Sequence, residues 1–182
     1  MNQPIEPLLR AFKAEASEGQ PVRVEALIEA LGIELDARAE LEASISGNIQ
    51  RRSDGTYVIR TNQREHDYRR RFTMAHELGH YILHRSILDQ MGGTNDTTMY
   101  RTEIKAPVYN SQISKLHEQQ ANSFAANLLM PEEAVRSAWA KEARISTHPN
   151  KLTPLQPLYR KFRVSPSSMK WRLRNLGLSF FE

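Results

Sequence analysis

The segment His76-Glu77-Leu78-Gly79-His80 contains two histidines four residues apart, with a glutamate directly after the first. On an α-helix, residues i and i+4 lie on one face about 6 Å apart, so both imidazoles can approach one metal ion. The Glu77 carboxylate then faces a water molecule bound to that ion and can act as a general base. The spacing therefore predicts a zinc site with hydrolytic chemistry, in which His76 and His80 are ligands and Glu77 is catalytic.

A catalytic zinc ion takes three protein ligands, and the chain has no cysteine, so the third ligand must be histidine or carboxylate. His84 lies eight residues after His76, about 12 Å along a helix axis. We therefore expect His84 to be a neighbour of the site and not a ligand. Glu118, on the next long predicted helix, is the best candidate, and His117 is its rival. Asn122, one turn later, is expected to hydrogen-bond a ligating imidazole.

The elements that must position these residues are predicted from periodicity and from turn residues. Residues 68–85 hold no proline and place apolar side chains on one stripe, which predicts the metal-binding helix. Residues 113–130 have helical composition and period, with Ser111 or Ser114 as the N-cap. Between these helices, residues 86–112 form a long connection of the kind that is often functional.

The remaining elements define the predicted fold class. Two strands are expected in residues 45–62 around the turn Ser53-Asp54-Gly55, a common hairpin signal. Helices are predicted at residues 5–16 and 22–32, from Pro131 onward, and at 154–162 and 166–176. The fold is therefore predicted to be α+β, a minimal zincin-like peptidase fold with a small antiparallel sheet and a helical C-terminal extension.

The charge of the chain is divided unevenly. Residues 1–142 hold 17 basic and 20 acidic side chains, whereas residues 143–182 hold eight basic and one acidic, within a total charge of +4. We predict a metallopeptidase domain at 1–142 and a basic extension at 143–182 that resembles a helix-turn-helix and packs on the first part. Direct nucleic-acid binding by this extension is the less favoured reading, because basic helix faces are more often only solvated.

Three blocks of the sequence, RRRFTMAHELGHYILH, EQQANSFAANLLMP and VSPSSMKWRLRNLGL, resemble the ImmA/IrrE family of bacterial and phage zinc metallopeptidases. The resemblance implies a gluzincin-like fold with one zinc ion per chain, held by His76, His80 and Glu118, with Glu77 as the base. It also implies a protein substrate, an Xre- or Cro-like helix-turn-helix repressor or antitoxin, whose cleavage derepresses its genes.

The predicted function is a zinc-dependent endopeptidase in which Glu77 assists the attack of zinc-bound water on a peptide bond. Tyr100, Tyr109 and His84 are candidates to stabilise the oxyanion. We hypothesise that a peptide substrate pairs with an exposed edge of the sheet, supplied by residues 56–61. The alternative is a toxin or interaction subunit of a toxin–antitoxin pair, or a DNA-binding regulator, with a zinc site that is not used for proteolysis.

The triplet Arg69-Arg70-Arg71 opens the metal-binding helix, and we expect it to pair with nearby acids or to frame the cleft. No apolar run approaches the roughly 18 residues of a membrane helix. The N-terminus has no apolar core or cleavage site typical of a secretory signal. With the lack of cysteine, these features predict a soluble cytoplasmic protein without a membrane partner.

Overall fold

The computed structural model describes residues 5–91, 97–102, 113–145 and 155–178. The chain forms two compact units. The sheet unit is Val24–Ala125, and the helical unit combines Met1–Arg23 with Ala126–Glu182. The domain boundary predicted at residue 142 from the charge distribution stays a prediction.

The sheet unit contains a four-stranded sheet and the helices that precede, cover and follow it. Its elements are α2 (Val24–Ala30), β1 (Glu34–Ala39), β2 (Ile45–Arg51), β3 (Tyr57–Asn62), α3 (Asp67–Leu83), α4 (Arg85–Met91) and β4 (Thr97–Thr102). The helix α5 (Lys115–Leu129) has residues in both units.

The sheet is mixed, so the prediction of an antiparallel sheet is wrong for one of its strand pairs. The strand order is β1-β3-β2-β4. The β2–β3 and β2–β4 pairs are antiparallel, whereas β1 runs parallel to β3 with Glu34 opposite Val58. The sequence did not predict β1, because its glutamate, aspartate and alanine residues are depleted in strands. A parallel pairing is also made at long range and leaves no local turn signal.

The predicted hairpin is confirmed as β2 and β3. Its turn is closed by Gly55, which has φ of 87°, and by Asp54, whose Oδ1 accepts hydrogen bonds from the amide of Thr56 at 2.9 Å and from its hydroxyl at 2.7 Å. Because β3 is paired on both sides, by β1 and by β2, residues 56–61 do not form a sheet edge. The hypothesis that a substrate pairs there is therefore wrong.

The helix α3 packs on β2 at a very short distance. A Cβ built on Gly47 of β2 would lie 2.4 Å from Cγ2 of Thr73 and 2.7 Å from the carbonyl oxygen of Arg60. Glycine is therefore required where the helix crosses the sheet. His66 is the N-cap of the helix, and its Nδ1 accepts a hydrogen bond from the amide of Tyr68 at 3.2 Å. The helix ends at Leu83, directly before His84.

The helical unit consists of α1 (Ile5–Ser17), the end of α5, α6 (Glu132–Ile145), α7 (Leu155–Phe162) and α8 (Pro166–Asn175). Pro166 occupies the first turn of α8 behind the N-cap Ser165, whose Oγ accepts a hydrogen bond from the amide of Ser168 at 3.1 Å. The buried side chain of Arg172 donates through Nε to the carbonyl of Met130 at 2.9 Å, which ties α8 to the end of α5. The predicted helical extension is confirmed in these residues.

Within the described residues, none of the helices combines the length and the apolar composition that crossing a membrane requires.

Candidate metal centre

His76 and His80 lie on the same face of α3, one turn apart, and both side chains are buried. Their rings meet edge to face with centroids 4.7 Å apart, and their Nε2 atoms are 3.0 Å apart. When both Nε2 atoms are unprotonated, two ring nitrogens held this close can direct their lone pairs at one location. Such an arrangement suits shared binding of a cation.

The third member of the cluster comes from α5. Oε2 of Glu118 lies 3.3 Å from Nε2 of His76, and Oε1 lies 3.1 Å from Nε2 of His80. Within the described residues, His76, His80 and Glu118 form the only group of three His, Asp or Glu side chains whose ligand atoms lie close enough together to hold a metal ion. The three predicted ligands are therefore brought together by the fold, and their role as ligands stays a prediction.

The separations within this cluster fit a small divalent cation. Zinc bonds of about 2.1 Å in tetrahedral geometry place neighbouring ligand atoms about 3.4 Å apart. The distances of 3.0–3.3 Å between these nitrogen and oxygen atoms are close to that value. Two imidazoles and a carboxylate also leave a fourth position open, as catalytic zinc sites require. The donor set therefore fits zinc.

The close approach of α3 and α5 depends on small residues at their contact. A Cβ built on Gly79 would lie 3.2 Å from Cα and 3.3 Å from the carbonyl oxygen of Ala121, and 3.1 Å from Cδ1 of Phe124. Ala121 and Ala125 are fully buried on α5. The glycine inside the H-E-x-x-H motif therefore sets how near Glu118 comes to the two histidines.

The outer nitrogen of each imidazole also has a partner. Nδ1 of His76 lies 3.0 Å from Oδ1 of Asn122, as the sequence predicted for that residue. Nδ1 of His80 lies 3.0 Å from Nδ1 of His84, and Nε2 of His84 lies 2.9 Å from Oε1 of Gln120. The sequence predicted His84 as a neighbour of the site but did not indicate Gln120. The only feature of the sequence that could have indicated Gln120 is its position one residue before Ala121, on the helix that carries Glu118.

The electrostatics of the cluster favour an ionised carboxylate. Burial raises the pKa of Glu118, but the close contacts of its carboxylate with the imidazoles of His76 and His80 outweigh burial and hold the pKa well below its ordinary value. Burial lowers the pKa of His84 by more than the hydrogen bond to Gln120 raises it, so the neutral form of His84 is favoured. An ionised Glu118 is the form that metal binding needs.

His117, the rival third ligand, has a different use. Its Nδ1 accepts a hydrogen bond from the amide of Ser114 at 3.2 Å, and Oγ of Ser114 accepts one from the amide of His117 at 3.4 Å. The two residues thus form a reciprocal cap at the start of α5, as in a capping box. The His117 ring also lies against that of His84, with centroids 4.7 Å apart.

Glu77 is buried on α3, directly after His76. On a helix it lies about 100° around the axis from His76 and about 60° from His80. Its role as the base stays a prediction. Of the two tyrosines considered as oxyanion donors, Tyr100 belongs to β4 but its side chain is not described, and Tyr109 lies outside the described residues.

The arginine triplet at the start of α3 is paired with nearby acids, as expected. Arg69 bonds Glu65 at 2.9 Å, Arg70 bonds Asp67, and Arg71 lies 3.5 Å from Glu25. These arginines therefore serve the local structure of the sheet unit.

No curated protein matches the chain. Among solved structures, a Mycobacterium tuberculosis transcriptional regulator is similar, with a TM-score of 0.52 and 17% sequence identity. The match covers 92% of this chain and 46% of that chain, so this chain spans about half the length of that regulator. At this identity the likeness concerns the fold alone.

The family described as peptidase M78, IrrE N-terminal-like domain, matches residues 30–174. This range includes the sheet, α3 with its H-E-x-x-H motif, α5 with Glu118, and most of α8. The match confirms the resemblance to the ImmA/IrrE family. The chain belongs to the IrrE N-terminal-like family of peptidases, peptidase M78.

Proposed function

We propose that this protein is a zinc-dependent endopeptidase that cleaves a helix-turn-helix repressor of the Xre or Cro type and thereby derepresses its genes. The observation that carries the proposal is the convergence of His76, His80 and Glu118 within 3.0–3.3 Å, with Glu77 buried on the same helix, in a member of a peptidase family. A purely structural metal site needs no carboxylate base next to a ligand.

In the proposed mechanism, His76, His80 and Glu118 would hold one zinc ion per chain. When bound, zinc supplies a Lewis acid that polarises a carbonyl and lowers the pKa of water toward about 7. The carboxylate of Glu77 accepts a proton from the attacking water and returns it to the nitrogen of the leaving amine. Asn122 accepts a hydrogen bond from Nδ1 of His76 and so keeps Nε2 of that imidazole directed at the cluster.

The substrate class is supported by the family and by sequence resemblance. The resemblance to the ImmA/IrrE family implies a regulator of the Xre or Cro type as substrate, and a cytoplasmic location of this chain would give access to such a substrate. The fold also occurs in a transcriptional regulator of about twice the length, which is consistent with a role in gene control.

The proposal is tested by co-expressing the chain with the helix-turn-helix regulator encoded beside it. We expect wild type to produce a shortened regulator when zinc is supplied, and Glu77→Gln to bind zinc without cutting. The matched control is Glu133→Gln, which makes the same change at an exposed position of α6 and should cut like wild type. If wild type carries zinc and leaves the regulator intact, the proposal of repressor cleavage is refuted.

A second candidate function, DNA binding, is favoured by one observation in the helical unit. The helices α7 and α8 are joined by a three-residue turn and contain no acidic residue. The exposed side chains of the two helices and their turn include Trp171, which is 46% exposed, and four basic groups: Arg160, Arg163, Lys170 and Arg174. We would accept this function if the chain binds duplex DNA, if binding weakens steeply as salt rises, and if Lys170→Glu combined with Arg174→Glu abolishes it. Absence of such binding would mean that these basic side chains are only solvated.

A further inference from the structure

His84 has no role in the mechanism proposed above. It lies one turn beyond His80, directly after the end of α3, and only 4% of its surface is exposed. It makes two polar contacts, one through Nδ1 with Nδ1 of His80 at 3.0 Å and one through Nε2 with Oε1 of Gln120 at 2.9 Å. A buried histidine with a partner at each nitrogen has a defined proton arrangement.

The order of these contacts determines where the protons lie. The oxygen Oε1 of Gln120 can only accept a hydrogen bond, so Nε2 of neutral His84 must carry the proton. Nδ1 of His84 then has a lone pair and accepts a hydrogen bond from Nδ1–H of His80. With its proton on Nδ1, His80 has its lone pair on Nε2, the atom that lies 3.1 Å from Glu118.

The other histidine is oriented by a separate device. Nδ1 of His76 lies 3.0 Å from Oδ1 of Asn122, so this amide oxygen orients the His76 imidazole directly. The amide oxygen of Gln120 orients the His80 imidazole indirectly, through His84. The plane of the His84 ring is further supported by His117, whose centroid is 4.7 Å away. Two independent sets of contacts therefore direct the two Nε2 atoms to the same location.

We propose that His84 and Gln120 are positioning residues, which together hold His80 in the tautomer whose Nε2 is open to the metal ion. This inference rests on the proposed metal-binding role of His76, His80 and Glu118. Groups that hydrogen-bond a ligating imidazole in this way change metal affinity by about 10- to 100-fold when they are removed.

The first test is zinc affinity, measured by competition with a chromophoric chelator on the full chain. We expect His84→Phe to weaken zinc binding about 10- to 100-fold and Gln120→Leu to weaken it less. Gln119→Leu makes the same change at the exposed neighbouring position and should leave zinc affinity unchanged. Because Gln120 is exposed, its substitution does not disturb a packed core.

Two comparisons separate positioning from packing. Phenylalanine preserves most of the ring volume of His84, whereas His84→Asn keeps an acceptor near Nδ1, so the Asn variant should bind zinc more tightly than the Phe variant. In addition, His84→Phe combined with Gln120→Leu should be no weaker than His84→Phe alone, since Gln120 acts through His84. His84→Phe combined with Asn122→Leu should multiply the two losses, because these residues orient different ligands.

The second test reads the tautomer itself through long-range ¹H–¹⁵N correlations of the histidine rings. We expect His80 to carry its proton on Nδ1 in wild type and to become a mixture of tautomers in His84→Phe. Equal zinc affinity in wild type and His84→Phe, or an unchanged His80 tautomer, would overturn the positioning role while leaving the proposed peptidase intact. A wild-type protein that binds no zinc would overturn both.

Discussion

Gly79→Ala is the change that most directly tests how the metal cluster is built. The added Cβ would lie 3.2 Å and 3.3 Å from backbone atoms of Ala121 and 3.1 Å from Cδ1 of Phe124, where ordinary contacts begin at 3.4 Å. The Phe124 ring can rotate away, but the backbone of Ala121 cannot. The facing turns of α3 and α5 must therefore separate by about 0.2 Å or more.

This small displacement is large on the scale of metal coordination. Glu118 lies three residues before Ala121 on α5, so it moves with the same turn of helix. Metal–ligand distances in real sites stay within about 0.2 Å of their ideal values. We therefore expect Gly79→Ala to weaken zinc binding by at least about tenfold. Stability should change less, because overpacking costs about 1–3 kcal/mol while replacing a helical glycine by alanine recovers about 1 kcal/mol.

The two effects are measured separately on purified protein. Zinc affinity is read by chelator competition, and the free energy of unfolding is read by urea titration of the metal-free chain. The control is Leu83→Ala on the same helix, at a side chain that is 48% exposed, which should leave zinc affinity unchanged. If Gly79→Ala binds zinc as tightly as wild type, the distance between α3 and α5 is not what limits the cluster, and the reasoning fails.

Two further predictions concern stability away from the cluster. Replacing Arg172 by Leu leaves the carbonyl of Met130 without its donor, so we expect the free energy of unfolding in urea to fall by about 1–3 kcal/mol. The exposed control Arg174→Leu should lower it by less than about 0.5 kcal/mol. Equal losses in the two variants would contradict the assigned hydrogen bond. Burial, with the hydrogen bond to Asp89, raises the pKa of Tyr57 to about 12. The neutral form of Tyr57 therefore stabilises the fold fully below about pH 10, the unfolded pKa, and this contribution disappears as pH rises toward 12. Tyrosinate absorbance should show a late-titrating group that Tyr57→Phe lacks, and its persistence in the variant would disprove the assignment.

Local signals in the sequence were sufficient for the elements that carry the chemistry. The hairpin follows from Asp54 and Gly55, and α3 and α5 follow from helical periodicity and, for α5, from Ser114, which caps its first turn. The position of His84 one turn after His80 was visible in the same way. The elements with local signals are those whose hydrogen bonds close within a few residues, which is why a single sequence predicts them.

Long-range pairing accounts for what the sequence did not predict. The strand β1 pairs in parallel with β3 across more than twenty residues, and its polar composition gives no alternation to recognise. The short helix α4 lies in what was expected to be an irregular connection. Gln120 gains its importance only when α5 packs beside α3, because its partner His84 lies 36 residues away in the chain. Contacts of this kind depend on tertiary packing and not on local sequence.

The H-E-x-x-H motif therefore contains more information than its three named residues suggest. His76 and His80 provide two nitrogens, but the residues between them determine how far the Glu118 carboxylate lies from those nitrogens. Leu78 is fully buried, and Gly79 allows the backbone of α5 to come within van der Waals contact of α3. A larger side chain at position 79 would keep His76, His80 and Glu77 in place and still move Glu118 away from them. The motif specifies a three-residue cluster here because one of its unspecified positions is a glycine.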